Sequence, residues 1–233
     1  MKEHGLICCE AMIQAFLAGR KTQTRRIPKD QTAKSYLYVE KCELYPSTLG
    51  VTYTGWAKDC GQPFLLPTEL PYQVGDRLYV KETWATCRLI RDHTDEAVSV
   101  SVPPVRAQVE TRETHLAYRA DGDDAFEGPW RSGRFMPKWA ARLWYEVVEV
   151  KEPHQVQDIS EEDAVAEGIY GYQAHGGGTH YNPVTIYAAF PEKGGGFRTA
   201  IEAFECLWDS LHGRGAWERN DWVFPYVLKR IEP

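Results

Sequence analysis

Residues 19–30 read GRKTQTRRIPKD and mark the passage from the first helix of the chain into the next segment. The residues before them, AMIQAFLA, place apolar side chains at the spacing of one helix face, and Gly19 stands where a left-handed residue ends a helix. The stretch gathers five cationic side chains and two threonines in a 233-residue chain whose formal net charge is −6. It is therefore either a solvated turn after a helix or a site that handles an anionic or polar substrate.

The composition indicates a globular protein and excludes several classes. Hydrophobic residues make up 43% of the chain, which is enough for one well-buried core. The negative net charge argues against a protein that coats nucleic acid, because non-specific affinity for a polyanion requires an excess of Lys and Arg. The six cysteines form no C-x-x-C pair, and no apolar run reaches the length of a membrane span. We therefore expect reduced thiols, a cytoplasmic location and no membrane partner.

Four segments have the alternation or the β-branched and aromatic content of strands. They are VGDRLYVKETWA (74–85), HLAYRAD (115–121), FMPKWAARLWYEVVEVKE (135–152) and DWVFPYVLKRI (221–231). Pro225 predicts that the last of these strands lies at an edge or at a bulge, because proline cannot donate to a sheet ladder.

Two further segments read as helices. In DISEEDAVAEGI (158–169), Ser160 is a good N-cap and Gly168 ends the helix, while residues 200–211 carry an amphipathic pattern. Strands and helices do not alternate regularly, which favours an α+β fold with a small, mostly antiparallel β-barrel, flanking helices and long inserted loops. We expect one domain over residues 1–233, with irregular insertions near 31–72, a hairpin or long loop near 88–115, and a flexible excursion near 170–198.

Common catalytic constellations are missing from the sequence. No G-x-x-x-x-G-K-[ST] motif or G-x-S-x-G elbow accompanies the glycine clusters. His175 and His180 could hold a metal only with partners from elsewhere, because their spacing is not that of helical ligands. We therefore expect neither a metal nor another cofactor.

The basic segment is the remaining candidate for chemistry. A threonine hydroxyl is a poor nucleophile unless a base takes its proton, and Lys21 can be that base only if burial or neighbouring cations depress its pKa. Arg20, Arg25 and Arg26 are such neighbours. Across a turn, Lys21 and Thr24 could converge, although in a regular strand they would point to opposite faces. Each of these residues also has a structural explanation when taken alone: the threonines suit a strand, and the cations suit a solvated surface.

LAGRKTQTRR, GDRLYV, DISEEDAVAEGI and the terminal WVFPYVLKRI together resemble the ASCH-domain family, whose fold is related to the PUA domain. KETWA, MPKWAARL and FECLWDSLHG resemble in particular the longer ASCH proteins carried by phages and prophages. The resemblance implies a β-barrel with flanking helices and a cleft of a kind associated with RNA or nucleosides. Residues 31–72, 88–115 and 170–198 lie outside it.

Small bacterial members of that family are amidohydrolases that remove the acetyl group of N4-acetylcytidine with a Lys, a Thr and a Glu. By motif, the resemblance assigns these roles to Lys21, Thr24 and Glu167. It implies that Lys21 deprotonates Thr24, that the threonine oxygen attacks the amide carbonyl, and that Glu167 holds Lys21 or shuttles a proton. This chain is about twice the size of the compact enzymes, so its insertions could wall the cleft and change the substrate.

Further side chains are candidates for substrate binding. Those of the basic segment are Arg20, Thr22, Arg25 and Arg26, and either of the last two could stabilise an oxyanion. Aromatic side chains could stack on a base, Glu82 could accept from an exocyclic amine, and Arg142 has a surface ion pair as its alternative. The aromatic candidates, each of which is equally explained as core, are Trp84, Tyr118 and Trp139.

The predicted function is hydrolysis of an acylated nucleoside or nucleotide amide, without a cofactor. One alternative is a non-catalytic binder of RNA or modified bases. Another is a phage-encoded ribonuclease or a factor that inhibits a host protein. The expected partner is a small nucleotide-like ligand or a short single-stranded RNA.

Overall fold

The computed structural model describes residues 1–28, 36–47, 50–57, 63–66, 70–91, 97–101, 114–122, 129–174, 184–190 and 196–232. The helices are α1 (Glu10–Leu17), α2 (Glu161–Ala166) and α3 (Ala200–His212). The strands are β1 (Glu3–Ile7), β2 (Gln23–Arg26), β3 (Tyr36–Ser47), β4 (Gly50–Ala57), β5 (Pro63–Leu66), β6 (Arg77–Lys81), β7 (Trp84–Arg91), β8 (Ala97–Ser101), β9 (Thr114–Tyr118), β10 (Trp144–Val150), β11 (His154–Gln155), β12 (Tyr170–Ala174), β13 (Val184–Ala188) and β14 (Trp222–Ile231).

The fold is α+β, with a curled, half-barrel mixed sheet and few helices. Six strands form this sheet in the order β1-β6-β10-β14-β11, and β2 also pairs with β14. The pair β1–β6 is parallel and the other pairs are antiparallel. The expectation of an α+β fold is thus confirmed, and the half-barrel sheet is compatible with the expected barrel.

Alternation of side chains along β14 gives the sheet two packed faces. Phe224, Tyr226 and Leu228 belong to a first core cluster with α1, β6 and β10, whereas Val223 belongs to a second cluster with α2 and α3. Successive residues of a strand point to opposite faces, so one strand contributes to both clusters. β6 behaves as predicted, because Leu78 and Val80 are buried between half-buried neighbours.

Local capping signals explain where the helices lie. α1 ends before Gly19, whose φ is +70°. Ser160 Oγ accepts from Asp163 N over 3.1 Å at the start of α2, and Thr199 forms a capping box with Glu202 at the start of α3. The predictions of all three helices are confirmed. No helix among the described residues is long and apolar enough to cross a membrane.

The predicted insertions contain more regular structure than we expected. Residues 31–72 were expected to be irregular, but β3, β4 and β5 form an antiparallel sheet there. A second three-stranded sheet, in the order β8-β7-β9, includes parts of 88–115, and β7 and β8 pair antiparallel as the hairpin alternative predicts, while residues 92–96 and 102–113 lie outside the described part. The excursion near 170–198 contains the hairpin β12–β13, while residues 175–183 and 191–195 lie outside the described part. Short-range alternation in these segments was too weak to reveal the pairing.

Two strand predictions need correction. β14 is an inner strand, so the predicted edge position is wrong, and no register shift falls at Pro225. Pro225 pairs opposite Arg25 on one side and falls between the registers of β10 and β11 on the other, where its missing N–H interrupts no ladder. A bulge does occur in the neighbouring strand, between Val147 and Glu149. The long strand predicted over 135–152 begins only at Trp144, because 3₁₀ turns occupy its first part.

Candidate functional site

The basic segment meets the end of α2 through a buried ion pair. Lys21 Nζ donates to Glu167 Oε2 over 2.6 Å and to the Glu167 backbone carbonyl over 2.8 Å. Of the Lys21 side chain 0% is exposed, and of the Glu167 side chain 2%. Two of the three residues that the resemblance makes catalytic, 146 positions apart in sequence, are therefore in direct contact.

Arg25 binds the other oxygen of the same carboxylate. Its Nη1 donates to Glu167 Oε1 over 3.0 Å, and its Nη2 donates to Asp163 Oδ2 over 2.8 Å. Asp163 also accepts from Gln23 and Lys151, each over 2.9 Å. Burial alone would raise the pKa of Asp163, but these hydrogen bonds and the charge of Arg25 hold it below its ordinary value. Each charge of the network thus has a partner, as burial requires.

The third predicted catalytic residue lies on the other face of β2. Lys21, Gln23 and Arg25 alternate along the chain and all contact α2 carboxylates, so the strand-like alternation already begins at Lys21. Thr24, which is 2% exposed, pairs with Tyr226 on the opposite face. Within the described residues no hydrogen bond joins Thr24 to Lys21 or Glu167. The turn after Gly19 therefore does not bring Thr24 and Lys21 together in this state.

Arg26 shares the face of Thr24. It follows Thr24 by two residues on β2 and pairs opposite Phe224. Its Nε is buried and has no hydrogen-bond partner among the residues that the structure describes. An unused N–H on this face is a donor that a ligand oxygen could satisfy.

The segment before β2 also closes the carbonyl end of α2. Three consecutive residues donate to three consecutive carbonyls: Thr22 N to Ala166 over 2.9 Å, Lys21 Nζ to Glu167 over 2.8 Å, and Arg20 Nη1 to Gly168 over 2.7 Å. The last carbonyls of a helix lack partners within the helix and carry partial negative charge. The positive charges of Arg20 and Lys21 are therefore favourable at this end of α2. The structural explanation of Arg20 and Lys21 and the catalytic one are thus compatible.

Two tyrosines that the sequence analysis did not single out lie beside Arg20. Its guanidinium carbon is 5.1 Å from the ring centroid of Tyr170, and Tyr170 stacks on Tyr172 with their centroids 5.8 Å apart. Tyr170 remains 37% exposed. Their spacing of two residues on a strand could have indicated that both side chains share one face, but this strand was not predicted from the sequence.

The second group of predicted binding residues is centred on Arg142. Its Nε and Nη2 bind both oxygens of Glu82, each over 2.9 Å, and its Nη1 binds Asp121 over 2.8 Å. The guanidinium carbon lies 4.0 Å from the ring centroid of Tyr118. Burial raises the pKa of Glu82, although Arg142 opposes this, and burial raises the pKa of Tyr118 to about 12. Arg142 already occupies both oxygens of the carboxylate that was expected to accept from a base.

The two tryptophans of this group are packing residues. Trp84 is buried, and its ring meets that of Trp139 edge-on with centroids 6.1 Å apart. Trp84 Nε1 is a buried donor without a hydrogen-bond partner among the described residues. In the part of the chain that the structure describes, no hydrogen bond or ion pair joins this group to Lys21 or Glu167.

Sequence reasoning missed the role of Asp163 as an anchor. Asp163 and Glu167 are four residues apart and therefore lie on one face of the helix, while Gln23 and Arg25 lie on one face of β2. Those two spacings could have indicated that this face of the helix packs against this face of β2. Among the described residues, no group of three or more His, Cys, Asp or Glu could hold a metal ion, and His175 and His180 lie outside those residues.

No family model matches the sequence, and neither a curated protein nor a solved structure resembles it significantly. The resemblance to ASCH proteins therefore stays a prediction.

Proposed function

We propose that this protein hydrolyses the amide bond of an acylated nucleoside or nucleotide, such as N4-acetylcytidine, in a fold of the PUA-like ASCH type. The observation that carries the proposal is the buried contact between Lys21 and Glu167. A resemblance based on separate motifs predicted these two residues as partners, and a basic side chain held against a carboxylate in a water-poor environment is a common form of proton relay.

The proposed reaction uses three side chains of the basic segment and α2. Glu167 takes a proton from the Lys21 ammonium, and the resulting amine takes the hydroxyl proton of Thr24 as its oxygen attacks the acyl carbon. Collapse of the tetrahedral intermediate breaks the C–N bond, and the protonated Lys21 gives its proton to the leaving amine. Water then hydrolyses the threonine ester, which releases the acid and regenerates Thr24, and Glu167 returns its proton to Lys21 to restore the ion pair.

Substrate binding has to change the geometry for this reaction to proceed. Lys21 must leave Glu167 and approach Thr24, which lies on the other face of β2. Arg25 stays bound to Glu167 and Asp163 and so keeps the carboxylate in position. Arg26, with its unused Nε on the face of Thr24, is the donor best placed to bind the oxyanion. A nucleoside substrate and the reduced cysteines fit a cytoplasmic activity.

A second candidate function is non-catalytic binding of a modified base or a short RNA. The observation that favours it is the missing hydrogen bond between Thr24 and either Lys21 or Glu167, because the buried network is then complete without any reaction. In this alternative the Lys21–Glu167 pair is a structural lock between β2 and α2.

The test is release of cytidine from N4-acetylcytidine, as nucleoside and as monophosphate, by the purified full chain. We expect Thr24→Val to lose about 10³-fold or more in kcat/KM, because the nucleophile is removed while the side-chain volume is kept. Thr185→Val is the matched control, since Thr185 lies on β13, outside the basic segment, and should retain activity. A correctly folded wild type without turnover on either compound would overturn the hydrolase and favour the binder.

A further inference from the structure

A cavity of about 160 Å³ lies at the start of α1. The side chains around it come from the start of α1 and from two connections near β7 and β9: Cys8, Cys9, Glu10, Thr83, Arg119 and Ala120. None of these residues was singled out from the sequence. The cavity is therefore not one of the predicted sites.

Cys8 connects the cavity to the candidate site. It lines the cavity, and its charged neighbours include Arg26, Lys21 and Glu167. Burial raises the pKa of the Cys8 thiol to about 11, against the effect of the two cations, so this wall of the cavity is uncharged at neutral pH.

The volume suits a single ring. A cavity of about 150 Å³ can hold a benzene molecule, whereas pockets for whole drug-sized ligands have about 300 Å³ or more. The cavity can therefore take one six-membered heterocycle, while a sugar attached to that ring would have to remain outside.

The polar groups around the cavity suit a nucleotide. Glu10 and Arg119 are exposed residues of opposite charge, and Thr83 offers a hydroxyl. A carboxylate can accept from an exocyclic amine, and a guanidinium can bind a phosphate with two parallel hydrogen bonds. By contrast, the groove lined by Glu202, Glu205 and Asp209 on α3 would repel a phosphate.

We propose that this cavity binds the single ring of a pyrimidine-type nucleotide and that Arg119 binds its phosphate. This inference rests on the proposed function, which it narrows from nucleosides in general to phosphorylated nucleotides or a short strand. It assigns the ring to Cys8 and Thr83 rather than to the packed group of Trp84 and Tyr118.

The first experiment is a thiol footprint of the full chain with iodoacetamide, read by peptide mass spectrometry. The probes are cytidine 5′-monophosphate, cytidine and inorganic phosphate. Cys9 is the reporter, because burial raises the pKa of the Cys8 thiol and so suppresses its reactive thiolate, and Cys206 in the acidic groove of α3 is the internal control. We expect the monophosphate at millimolar concentration to slow alkylation of Cys9 at least threefold without affecting Cys206. Equal rates at Cys9 with and without the monophosphate would overturn the proposal.

The second experiment measures Kd for the same probes by calorimetry. We expect the monophosphate to bind about tenfold more tightly than cytidine, as one charge-assisted contact predicts. Arg119→Gln should abolish that difference, whereas Arg214→Gln, at an exposed arginine elsewhere, should preserve it. A preference that persists in Arg119→Gln, or phosphate alone binding as tightly as the monophosphate, would contradict the assignment.

Both measurements are independent of turnover. A footprint and a phosphate preference without hydrolysis of N4-acetylcytidine would preserve the cavity and reject the hydrolase. Hydrolysis of N4-acetylcytidine without protection of Cys9 would preserve the hydrolase and reject the cavity as the binding site.

Discussion

Glu167 is the residue on which the candidate site depends most, because two buried cations share its carboxylate. Lys21 occupies Oε2 and Arg25 occupies Oε1. Arg25 has a second carboxylate in Asp163, but Lys21 has no other carboxylate within the described residues. Removing one member of a buried ion pair is costly because the partner stays buried without compensation.

We therefore predict that Glu167→Gln lowers the free energy of unfolding by about 3 kcal/mol. Glu162→Gln is the control, since Glu162 is exposed in the first turn of the same helix and its loss should cost only a few tenths of a kcal/mol. Urea denaturation followed by circular dichroism measures both. Equal losses in the two variants would show that the buried pair contributes nothing specific.

Two histidines give the protein a pH dependence of defined sign. Burial and the charge of Arg25 depress the pKa of His154, and burial with Arg26 and Arg219 depresses that of His212. Below about pH 6.5 the unfolded chain binds protons that the folded histidines do not, so stability falls as the pH decreases.

We predict that the free energy of unfolding decreases from pH 7 to pH 5.5, by at most about 1.4 kcal/mol per pH unit for His154 and by less for His212, which is exposed and screened by solvent. His154→Gln and His212→Gln should each reduce this slope. Urea titrations at several pH values measure it. A slope that is unchanged in both variants would assign the pH dependence to other groups.

Single residues show how far the sequence could define the site. The resemblance was enough to predict that Lys21 and Glu167 are partners, because each residue stands in its own motif. The contact between Arg25 and Asp163 was not, because it depends on how β2 packs against α2, and no local pattern encodes that distance. The face of Thr24 could also not be predicted, since the sequence left open whether a turn or a strand began at Lys21.

At the scale of elements, the junction of α2 with the basic segment requires a glycine. Gly168 has φ +107°, and a Cβ there would lie 2.7 Å from Ala15 Cβ and 3.3 Å from Lys21 Cβ. Both the backbone conformation and the close approach of α1 to α2 thus exclude a side chain.

We predict that Gly168→Ala destabilises the protein by about 2–4 kcal/mol, from backbone strain and overpacking together. Gly122→Ala is the matched control, because Gly122 has φ +70° and nothing lies within 4 Å of the added Cβ, so it should cost about 1 kcal/mol. Thermal or urea unfolding compares them. A loss in Gly168→Ala no larger than in the control would mean that α1 and α2 can move apart freely.

Elements with local signals were predicted better than elements that depend on pairing. α2 and α3 have side-chain caps and α1 a glycine stop, all of which act within a few residues. Among the strands that the structure describes, β3, β4 and β5 pair with one another, and the stability of a strand depends on such pairing more than on its local sequence. The position of Pro225 was predicted wrongly for a related reason. Whether a strand can hold a proline depends on which neighbouring strand would need its missing N–H, and the sequence does not show how the strands pair.

At the scale of the whole molecule, β14 joins the two core clusters. Its residues alternate between them, with Tyr226 in the first and Val223 in the second. It also pairs with β10, β11 and β2 at once. Unfolding of either cluster would remove one packed face of β14, and a strand buried on two faces loses much of its stability when one of them opens.

We therefore predict that the two clusters unfold in one transition, as expected for a single domain. Ile13→Ala in the first cluster and Leu207→Ala in the second should each lower the free energy of unfolding by about 2–5 kcal/mol, because both side chains are buried. In each variant, tryptophan fluorescence and far-UV circular dichroism should give coincident urea transitions, since Trp222 and Trp208 report on different clusters. Two separated transitions in Leu207→Ala would show that α2 and α3 unfold alone. Lys21 would then lose Glu167 while the sheet was still folded, and the site would open without global unfolding.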